Sequence, residues 1–260
     1  MSSNMVKHSI LIVVALVIAY GASTAGAQEW GSIKGRIVVD GTAPKPAPIA
    51  VSKDQYCMDK KPESDSVVIG KDNTLVNAVV YLRVGAGGPK VAINPEYEAK
   101  FKEPVELDNA GCMFHPHITA VRVGQTLNVK STDPVGHNTN IAMLSFNQTI
   151  PSMGMTPVKV TQGGAIPMPV VCNIHPWMKG YILALDHPYS AVTGEDGTFE
   201  IKDMPAGQHE FQFWHESGYL KNVALKGATT DNRGRAKLKI EAGKTLDLGD
   251  IKVKASGLKP

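Results

Sequence analysis

The chain has 260 residues, of which 43% are hydrophobic, so it can bury a sizeable core in one large or two small domains. Its 27 Lys and Arg and its 24 Asp and Glu nearly cancel, which leaves a formal net charge of +3. This balance excludes the strongly basic surface of a nucleic-acid-binding protein. Gly and Pro are plentiful, at 25 and 17 residues, and helical periodicity is almost absent. The composition therefore predicts an all-β fold with many turns.

The first 27 residues have the order of a secretory signal peptide. Lys7 and His8 precede the apolar run 10–20, and small residues at 25–27 follow it. The run is shorter than the ~20 residues that a membrane-spanning helix needs, which disfavours a retained anchor. We therefore expect 1–27 to be a cleaved signal peptide, with no membrane span in the mature protein and a periplasmic or secreted location.

Alternation and turn residues predict the next elements. Residues 32–39 alternate apolar and polar side chains and end at an Asp-Gly turn, which predicts a strand. The Pro-rich connector 44–48 is expected to be extended or irregular. The run 75–84 is apolar enough for a buried strand, whereas 96–102 predicts only a short helical turn.

Three cysteines are an odd number for an exported protein. If Cys172 serves as a metal ligand, Cys57 and Cys112 remain as a pair, and an oxidising compartment favours a disulfide between them. A competing interpretation is a second metal site, in which His115 and His117 join these cysteines. The two His alternate with period two, so on a strand they would share a face with each other but not with Cys112. We therefore favour the simpler interpretation, in which both His are polar residues at the start of a strand.

The pattern richest in chemistry lies at 172–178. Cys172, His175 and Met178 stand at i, i+3 and i+6 directly after an apolar run, so one tight loop holds a thiolate, an imidazole and a thioether. His137, in a turn-rich loop after the predicted strand 126–129, offers a second imidazole. Each residue alone is ordinary in a protein core, but two His and one Cys in a plane with a weak axial Met suit a mononuclear type 1 copper site.

The segment 118–181, with its Cys-x-x-His-Pro-x-Met-x-Gly loop, resembles the cupredoxins, and this loop is most similar to those of plastocyanins and amicyanins. The resemblance implies an antiparallel Greek-key β-sandwich with the blue copper ion at one end. It also implies that Asn138, in the second shell, braces the loops around the Cys sulfur. The ring edge of His175 would be the electron port, and Pro176 and Trp177 would frame it for partner docking.

The stretch 134–178 is poor in charge and rich in methionine. Lys159 is its only charged residue, and it contains Met143, Met153, Met155 and Met168. Such side chains suit the transient docking of a redox partner, but they would also suit ordinary packing or the binding of Cu(I) by thioethers.

A second pattern follows residue 181. Turns and alternating strands at 193–201, 204–207 and 209–215 resemble the carboxypeptidase regulatory-like β-sandwich module, and 31–39 is similar to its first strand. We therefore expect a combined organisation. It consists of a signal peptide at 1–27, the first strands of the regulatory-like sandwich at 28–50, a cupredoxin-like copper domain at 51–185 and the rest of the regulatory-like sandwich at 186–260. Three further histidines, His187, His209 and His215, are interpreted as polar surface or core residues.

Four protein ligands would leave no open position for a substrate, so we expect an electron carrier rather than an enzyme. Its partners would be redox proteins such as a cytochrome, a dehydrogenase or an oxidase. Two alternatives are a non-redox copper carrier or chaperone and a copper-free structural or adhesion protein. A multicopper oxidase or copper nitrite reductase would need further ligands such as a His-Cys-His run, whereas Cys172 lies between Val171 and Asn173.

Overall fold

The structure, a computed structural model, describes residues 28–85, 88 and 90–259, and the expected signal peptide lies outside the described residues. Nearly every described element is a β-strand, so the predicted all-β fold class is confirmed. The strands are β1 Trp30–Asp40, β2 Val79–Leu82, β3 Val105–Ala110, β4 Met113–His115, β5 Ile118–Arg122, β6 Thr126–Ser131, β7 His137–Ile141, β8 Phe146–Ile150, β9 Met155–Lys159, β10 Met168–Val171, β11 Lys179–Leu185, β12 Ser190–Val192, β13 Thr198–Pro205, β14 Gly207–His215, β15 Gly218–Tyr219, β16 Ala224–Leu225, β17 Ala228–Thr229, β18 Arg235–Ile240 and β19 Thr245–Lys254.

The helical elements are short. They are the α-helices α1 Gln55–Lys60 and α2 Pro95–Phe101, and the 3-10 turns Lys71–Asn73, Ala142–Leu144 and Ala255–Gly257. Helix α2 is the helical turn expected near 96–102, and the Asn94 side chain caps it by accepting a hydrogen bond from the backbone of Glu96. In the part of the chain that the structure describes, no helix is long and apolar enough to cross a membrane.

Four sheets of the described chain form two packed pairs, and β16 and β17 form a separate two-stranded sheet. Sandwich A consists of the sheet β13-β1-β19 and the sheet β12-β2-β14-β15, with β18 also paired to β14. Its core is apolar, and the predicted alternation of β1 places Ile33, Ile37 and Val39 in it. Sandwich B consists of the sheets β5-β11-β10-β7-β8 and β4-β3-β6-β9 around a separate core.

Sandwich B is not purely antiparallel, contrary to the expectation from the cupredoxin resemblance. Strand β5 pairs parallel to β11, and β3 pairs parallel to β6. The chain leaves β3, passes through β4 and crosses to the other sheet for β5 before it returns as β6. Two strands that are separated by such a crossover can run in the same direction.

The two sandwiches stack on each other through a third apolar cluster. Sandwich A contributes Val79, Tyr81 and Trp214, and sandwich B contributes Ile118, Tyr181 and Leu183. All four residues of β2 are buried, because one face of the strand meets core A and the other meets this cluster. This double burial explains the continuous apolar run in the sequence.

The placement of β2 also bears on the expected domain organisation. Strand β2 lies inside the range 51–185 but pairs with β12 and β14 of sandwich A. Strand β1, from the expected range 28–50, pairs with β13 and β19 in the same sandwich. The range expected for the copper domain thus includes a strand of the other sandwich, because the apolar β2 completes the sheet between the two cores.

A buried charged cluster lies beside this interface. The Nδ1 atom of His117 is 2.8 Å from Oδ2 of Asp65, an ion-pair contact rather than a well-aligned hydrogen bond. Its Nε2 atom forms a short contact with the carboxylate of Glu216, which follows β14. Burial alone would lower the pKa of His117, but these two carboxylates raise it to about 9. We call these three residues the clasp, since they join sandwich B to sandwich A.

Residues 51–61, which we call the strap, pack on one end of sandwich B. Cys57 of helix α1 is fully buried in core B and forms a disulfide with Cys112, as the sequence predicted. The disulfide fastens the strap to the turn between β3 and β4.

Candidate metal centre

All four predicted ligands lie at one end of the sheet that contains β7, β10 and β11. His137 is the first residue of β7, and Cys172 directly follows β10. Strand β10 pairs with both β7 and β11, so the loop 172–178 closes beside the start of β7. The pairing of neighbouring strands therefore brings together residues that are 35 positions apart in the sequence.

The loop 172–178 is held by its own backbone. The N–H of Cys172 donates to the carbonyl of Met178 at 3.2 Å, and the N–H of Met178 donates to the carbonyl of His175 at 2.9 Å. The motif ends in Gly180 because a Cβ there would lie 2.9 Å from the backbone carbonyl oxygen of His117. Glycine thus allows β11 to approach the segment before β5 closely.

Three donor atoms face one another in this end of the sandwich. The Nδ1 atoms of His137 and His175 are 2.9 Å apart, and the Sγ atom of Cys172 is 3.9 Å from Nδ1 of His175. The three side chains are buried and their ligand atoms all lie within 4.8 Å of one another. A metal ion with bonds of about 2.0–2.3 Å holds its donors roughly 3–4 Å apart, so these distances fit one shared ion.

Met178 belongs to the same end of core B. Its side chain is fully buried, in the same apolar cluster as Cys172. The set of two imidazoles, one thiol and one thioether has the donor chemistry that a type 1 copper ion prefers.

The surroundings of Cys172 favour its thiolate form. The backbone N–H groups of Asn138 and His175 each lie 3.3 Å from Sγ and donate to it. Burial alone would raise the pKa of the thiol, but the hydrogen bonds from His137 and from these backbone groups lower it below its ordinary value. All three cysteines of the chain lie among the described residues, and Cys172 is the one that forms no disulfide there. Its thiolate is therefore free to bind a metal, because no other cysteine is left to form a disulfide with it.

Asn138 connects the loops around the sulfur. Its side-chain amide donates to Oδ1 of Asn147 and to the carbonyl of Gln148, and its Oδ1 accepts from the N–H of Asn173. The first two contacts reach β8 and the third reaches the loop after β10. A single side chain thus ties together three segments that surround Cys172.

A buried carboxylate that the sequence analysis missed lies behind His137. Oδ2 of Asp133 is 2.8 Å from Nε2 of His137, so this ring nitrogen donates to the carboxylate and Nδ1 is left to face the shared point. Burial alone would lower the pKa of His137, but Asp133 and Cys172 raise it to about 9. Asp133 stands four residues before His137 in the same loop, which is a local signal that could have identified it.

Asp133 is itself held in place by three donors. It accepts hydrogen bonds from the backbone N–H groups of Gly111 and Cys112 and from the hydroxyl of Tyr56 in the strap. Burial would raise its pKa, but these bonds and His137 keep it below the ordinary value. The carboxylate is therefore ionised and fixed in orientation.

A second carboxylate, also missed, lies behind His175. Oδ2 of Asp54 is 2.6 Å from Nε2 of His175. Asp54 is 121 residues away in the sequence and lies in the strap directly before helix α1, so no local pattern connects it to the loop.

His175 does not present its ring edge to water, and its expected role as the electron port stays a prediction. Its side chain is 0% exposed, whereas that of Asp54 is 43% exposed. The ring of Trp177 covers another side of the imidazole, with ring centroids 5.0 Å apart, and its Nε1–H donates to the carbonyl of Cys112. Pro176 is exposed and Trp177 half-buried, so these two reach the surface in place of His175.

The possible second metal site is not assembled. His115 is exposed, while His117 is buried with carboxylates at both of its ring nitrogens. Neither residue belongs to the groups of His, Cys and carboxylate atoms that lie within 4.8 Å of one another among the described residues. The sequence predicts that His115 and His117 share one face of a strand. They do not, because strand β4 ends at His115 and His117 lies beyond it. The other such group, Cys112, Asp133 and His137, has its cysteine in the disulfide.

No protein-family model matches the chain, and no curated protein matches it. Among solved structures, it is similar to a purple cupredoxin from Nitrosopumilus maritimus, with 18% identity over 31% of this chain and 98% of that chain and a TM-score of 0.28. It is similar to amicyanin from Paracoccus versutus, with 14% identity over 32% of this chain and 81% of that chain and a TM-score of 0.29. It is also similar to the copper-containing nitrite reductase from Thermus scotoductus, with 22% identity over 39% of this chain and 25% of that chain and a TM-score of 0.29.

Proposed function

We propose that this protein is an exported carrier of single electrons, with one type 1 copper ion bound by His137, Cys172, His175 and Met178. The observation that carries the proposal is the buried group of two imidazole nitrogens and one sulfur within 4.8 Å, with a buried thioether in the same cluster. Copper bound to such a set supplies a one-electron couple.

The residues around this group suit electron transfer better than bond chemistry. Two backbone N–H groups fix the sulfur of Cys172, and Asp133 holds the proton of His137 on Nε2. Donors that are positioned in advance by a β-scaffold need little rearrangement when the charge at the site changes. Four protein donors leave no place for a substrate, so we propose a carrier and not an enzyme.

We further propose that electrons enter through Trp177. The indole contacts the ring of His175 at 5.0 Å and reaches the surface beside the exposed Pro176. A redox partner protein, such as a cytochrome, a dehydrogenase or an oxidase, would dock there. The side chains of Met153 and Met155 are 71% and 56% exposed. They follow Ser152, whose hydroxyl donates to the carbonyl of Asp133 behind the proposed ligand His137. Flexible thioethers suit such transient contacts.

The Cys57–Cys112 disulfide supports a periplasmic or secreted location, since such bonds persist in oxidising compartments.

A non-redox copper carrier is the second candidate, because the exposed thioethers of Met153 and Met155 are soft donors that suit Cu(I). A carrier must release its ion readily, whereas every predicted ligand here is buried. The two functions differ in how fast bound copper exchanges with a competing chelator.

The test is a reductive titration of the mature protein, expressed from residue 28 and loaded with Cu(II). The electron-carrier proposal expects one copper per protein, an intense visible band, reversible bleaching by one electron and slow loss of copper to a chelator. Rapid loss of copper in both oxidation states would favour the copper carrier. A protein that takes up no copper would favour a structural or adhesive role.

A further inference from the structure

Asp54 has a backbone conformation that needs an explanation. Its φ and ψ are 58° and 117°, and a positive φ is uncommon for any residue other than glycine. Such conformations cost free energy and persist only where the surroundings enforce them, often at functional sites. Here the conformation directs the carboxylate onto Nε2 of His175, at 2.6 Å.

The strap that carries Asp54 is fastened by two contacts directly after this residue. Cys57 is bonded to Cys112, and the hydroxyl of Tyr56 donates to Oδ1 of Asp133 at 2.9 Å. Asp133 is the carboxylate behind His137. The strap therefore supplies one carboxylate to the centre directly and helps to fix the other.

We propose that Asp54 is a positioning residue that tunes and closes the metal centre. Its carboxylate holds the proton of His175 on Nε2, fixes the plane of the ring and makes Nδ1 a stronger donor. It also places a negative charge beside the centre and, with Trp177, covers the imidazole edge. The stronger Nδ1 donor and the added negative charge both favour the more highly charged Cu(II) over Cu(I). The inference depends on the proposed role of His175 as a ligand.

The test compares Asp54→Asn with Asp59→Asn in the full mature chain. Asparagine has nearly the same size as aspartate and tolerates a positive φ, so the strap should keep its path. Asp59 is the matched control, because its exposed carboxylate lies on helix α1, which Asp54 directly precedes, and it accepts a hydrogen bond from Gln55 rather than from a metal ligand. The affinities for Cu(II), Cu(I) and Zn(II) and the reduction potential are measured for both variants and for the wild type.

We expect Asp54→Asn to weaken Cu(II) and Zn(II) binding about 10- to 100-fold, the usual effect of mutating such an outer hydrogen-bond partner, because the amide oxygen that remains is an uncharged and weaker acceptor. Binding of Cu(I) should weaken less. For each tenfold difference between the two copper states, the potential should rise by about 59 mV, the equivalent of tenfold for one electron. Asp59→Asn should match the wild type in every measurement.

Equal affinities and potentials for the two variants would overturn the inference and leave the proposed function intact. Zn(II) needs no electron transfer, so a selective loss of Zn(II) affinity in Asp54→Asn supports the role of Asp54 even if the wild type gives no blue band. That missing band would contradict the proposed function alone. Asp54→Gly removes the carboxylate and accommodates the positive φ, so it should reproduce the loss if the missing carboxylate is the cause.

Discussion

The two sandwiches bury different kinds of side chain. The core of sandwich A is built from aliphatic and aromatic residues such as Ile33, Phe211 and Phe213. One end of sandwich B instead buries Asp133, His137 and other polar groups next to its apolar core. Burying polar or charged groups costs free energy unless each finds a partner, and at this end the partners are specific and numerous. Sandwich A is therefore expected to provide stability and sandwich B to provide the site.

The buried histidines show the same difference. Burial lowers the pKa of His187 and of His215 to about 4. For His117 and His137 the neighbouring carboxylates outweigh burial and raise the pKa to about 9. A buried histidine that faces a carboxylate thus has a chemical or structural task that burial alone does not indicate.

The largest effect on stability is expected from Phe213→Ala in sandwich A. Phe213 is 1% exposed, and its ring packs edge-on against Phe199 with centroids 6.3 Å apart. Truncating such a residue costs about 3–5 kcal/mol in the free energy of unfolding. Urea denaturation followed by circular dichroism measures this change, with the exposed Lys239→Ala as a control that should shift by less than about 0.5 kcal/mol. A small effect of Phe213→Ala would mean that core A does not carry the stability of the fold.

The next largest effect is expected from removing the disulfide in a Cys57→Ser and Cys112→Ser double variant. The bond closes a loop over 55 positions, which corresponds to about 4 kcal/mol on the chain-entropy model and commonly to about 2–4 kcal/mol in practice. Metal affinity should fall as well, because the strap that holds Asp54 is released. Unfolding curves and Zn(II) titrations measure the two effects. Full stability with full affinity would show that the strap needs no covalent fastening.

The clasp gives an effect of comparable size that is confined to lower pH. The pKa of His117 is about 9 in the folded protein and about 6.5 when unfolded, so its stabilising effect is complete below pH 6.5 and is lost as pH rises towards 9. Replacing His117 by Gln should cost on the order of 3 kcal/mol at pH 6 and little above pH 9. The pKa of His137 is also about 9, but the wild type and the His117→Gln variant both contain this residue. The difference between their unfolding free energies therefore reports on His117 alone. A difference that does not change with pH would contradict the charged state of the clasp.

The smallest effect on stability is expected from Cys172→Ser. The exchange keeps the size of the side chain and its acceptor role toward the two backbone N–H groups, so the unfolding free energy of the metal-free protein should change by about 1 kcal/mol or less. The visible band of the copper-loaded protein should disappear. Ser152→Ala serves as a control that leaves the sulfur untouched. A variant that retains the band would contradict the assignment of Cys172 as a ligand.

Local patterns in the sequence predict much of the fold and most of the site. The alternation of apolar and polar residues predicts β1. Cys172, His175 and Met178 are so close in the sequence that they lie in one loop regardless of the fold around them. The pairing of Cys57 with Cys112 is predicted because the chain has only three cysteines and Cys172 is interpreted as a metal ligand. Each of these signals lies within a few residues or depends on chemistry that leaves few choices.

The features that sequence analysis missed depend on contacts between distant segments. Asp54 reaches His175 from the strap, 121 residues earlier in the sequence, so no local spacing connects the two. The partners of His117, Asp65 and Glu216, come from a connector and from the other sandwich. Only the packing of the whole chain brings such groups together, so neither the cover over His175 nor the clasp could be read from residue spacing.

The most direct test of the central claim is the EPR spectrum of the mature protein with one equivalent of Cu(II). If His137, Cys172 and His175 bind the ion together, the spectrum should show the narrow copper hyperfine splitting of a thiolate-bound type 1 site, alongside an intense visible band. An ordinary tetragonal Cu(II) spectrum, unchanged in Cys172→Ser, would show that copper binds elsewhere and would contradict the account of this site.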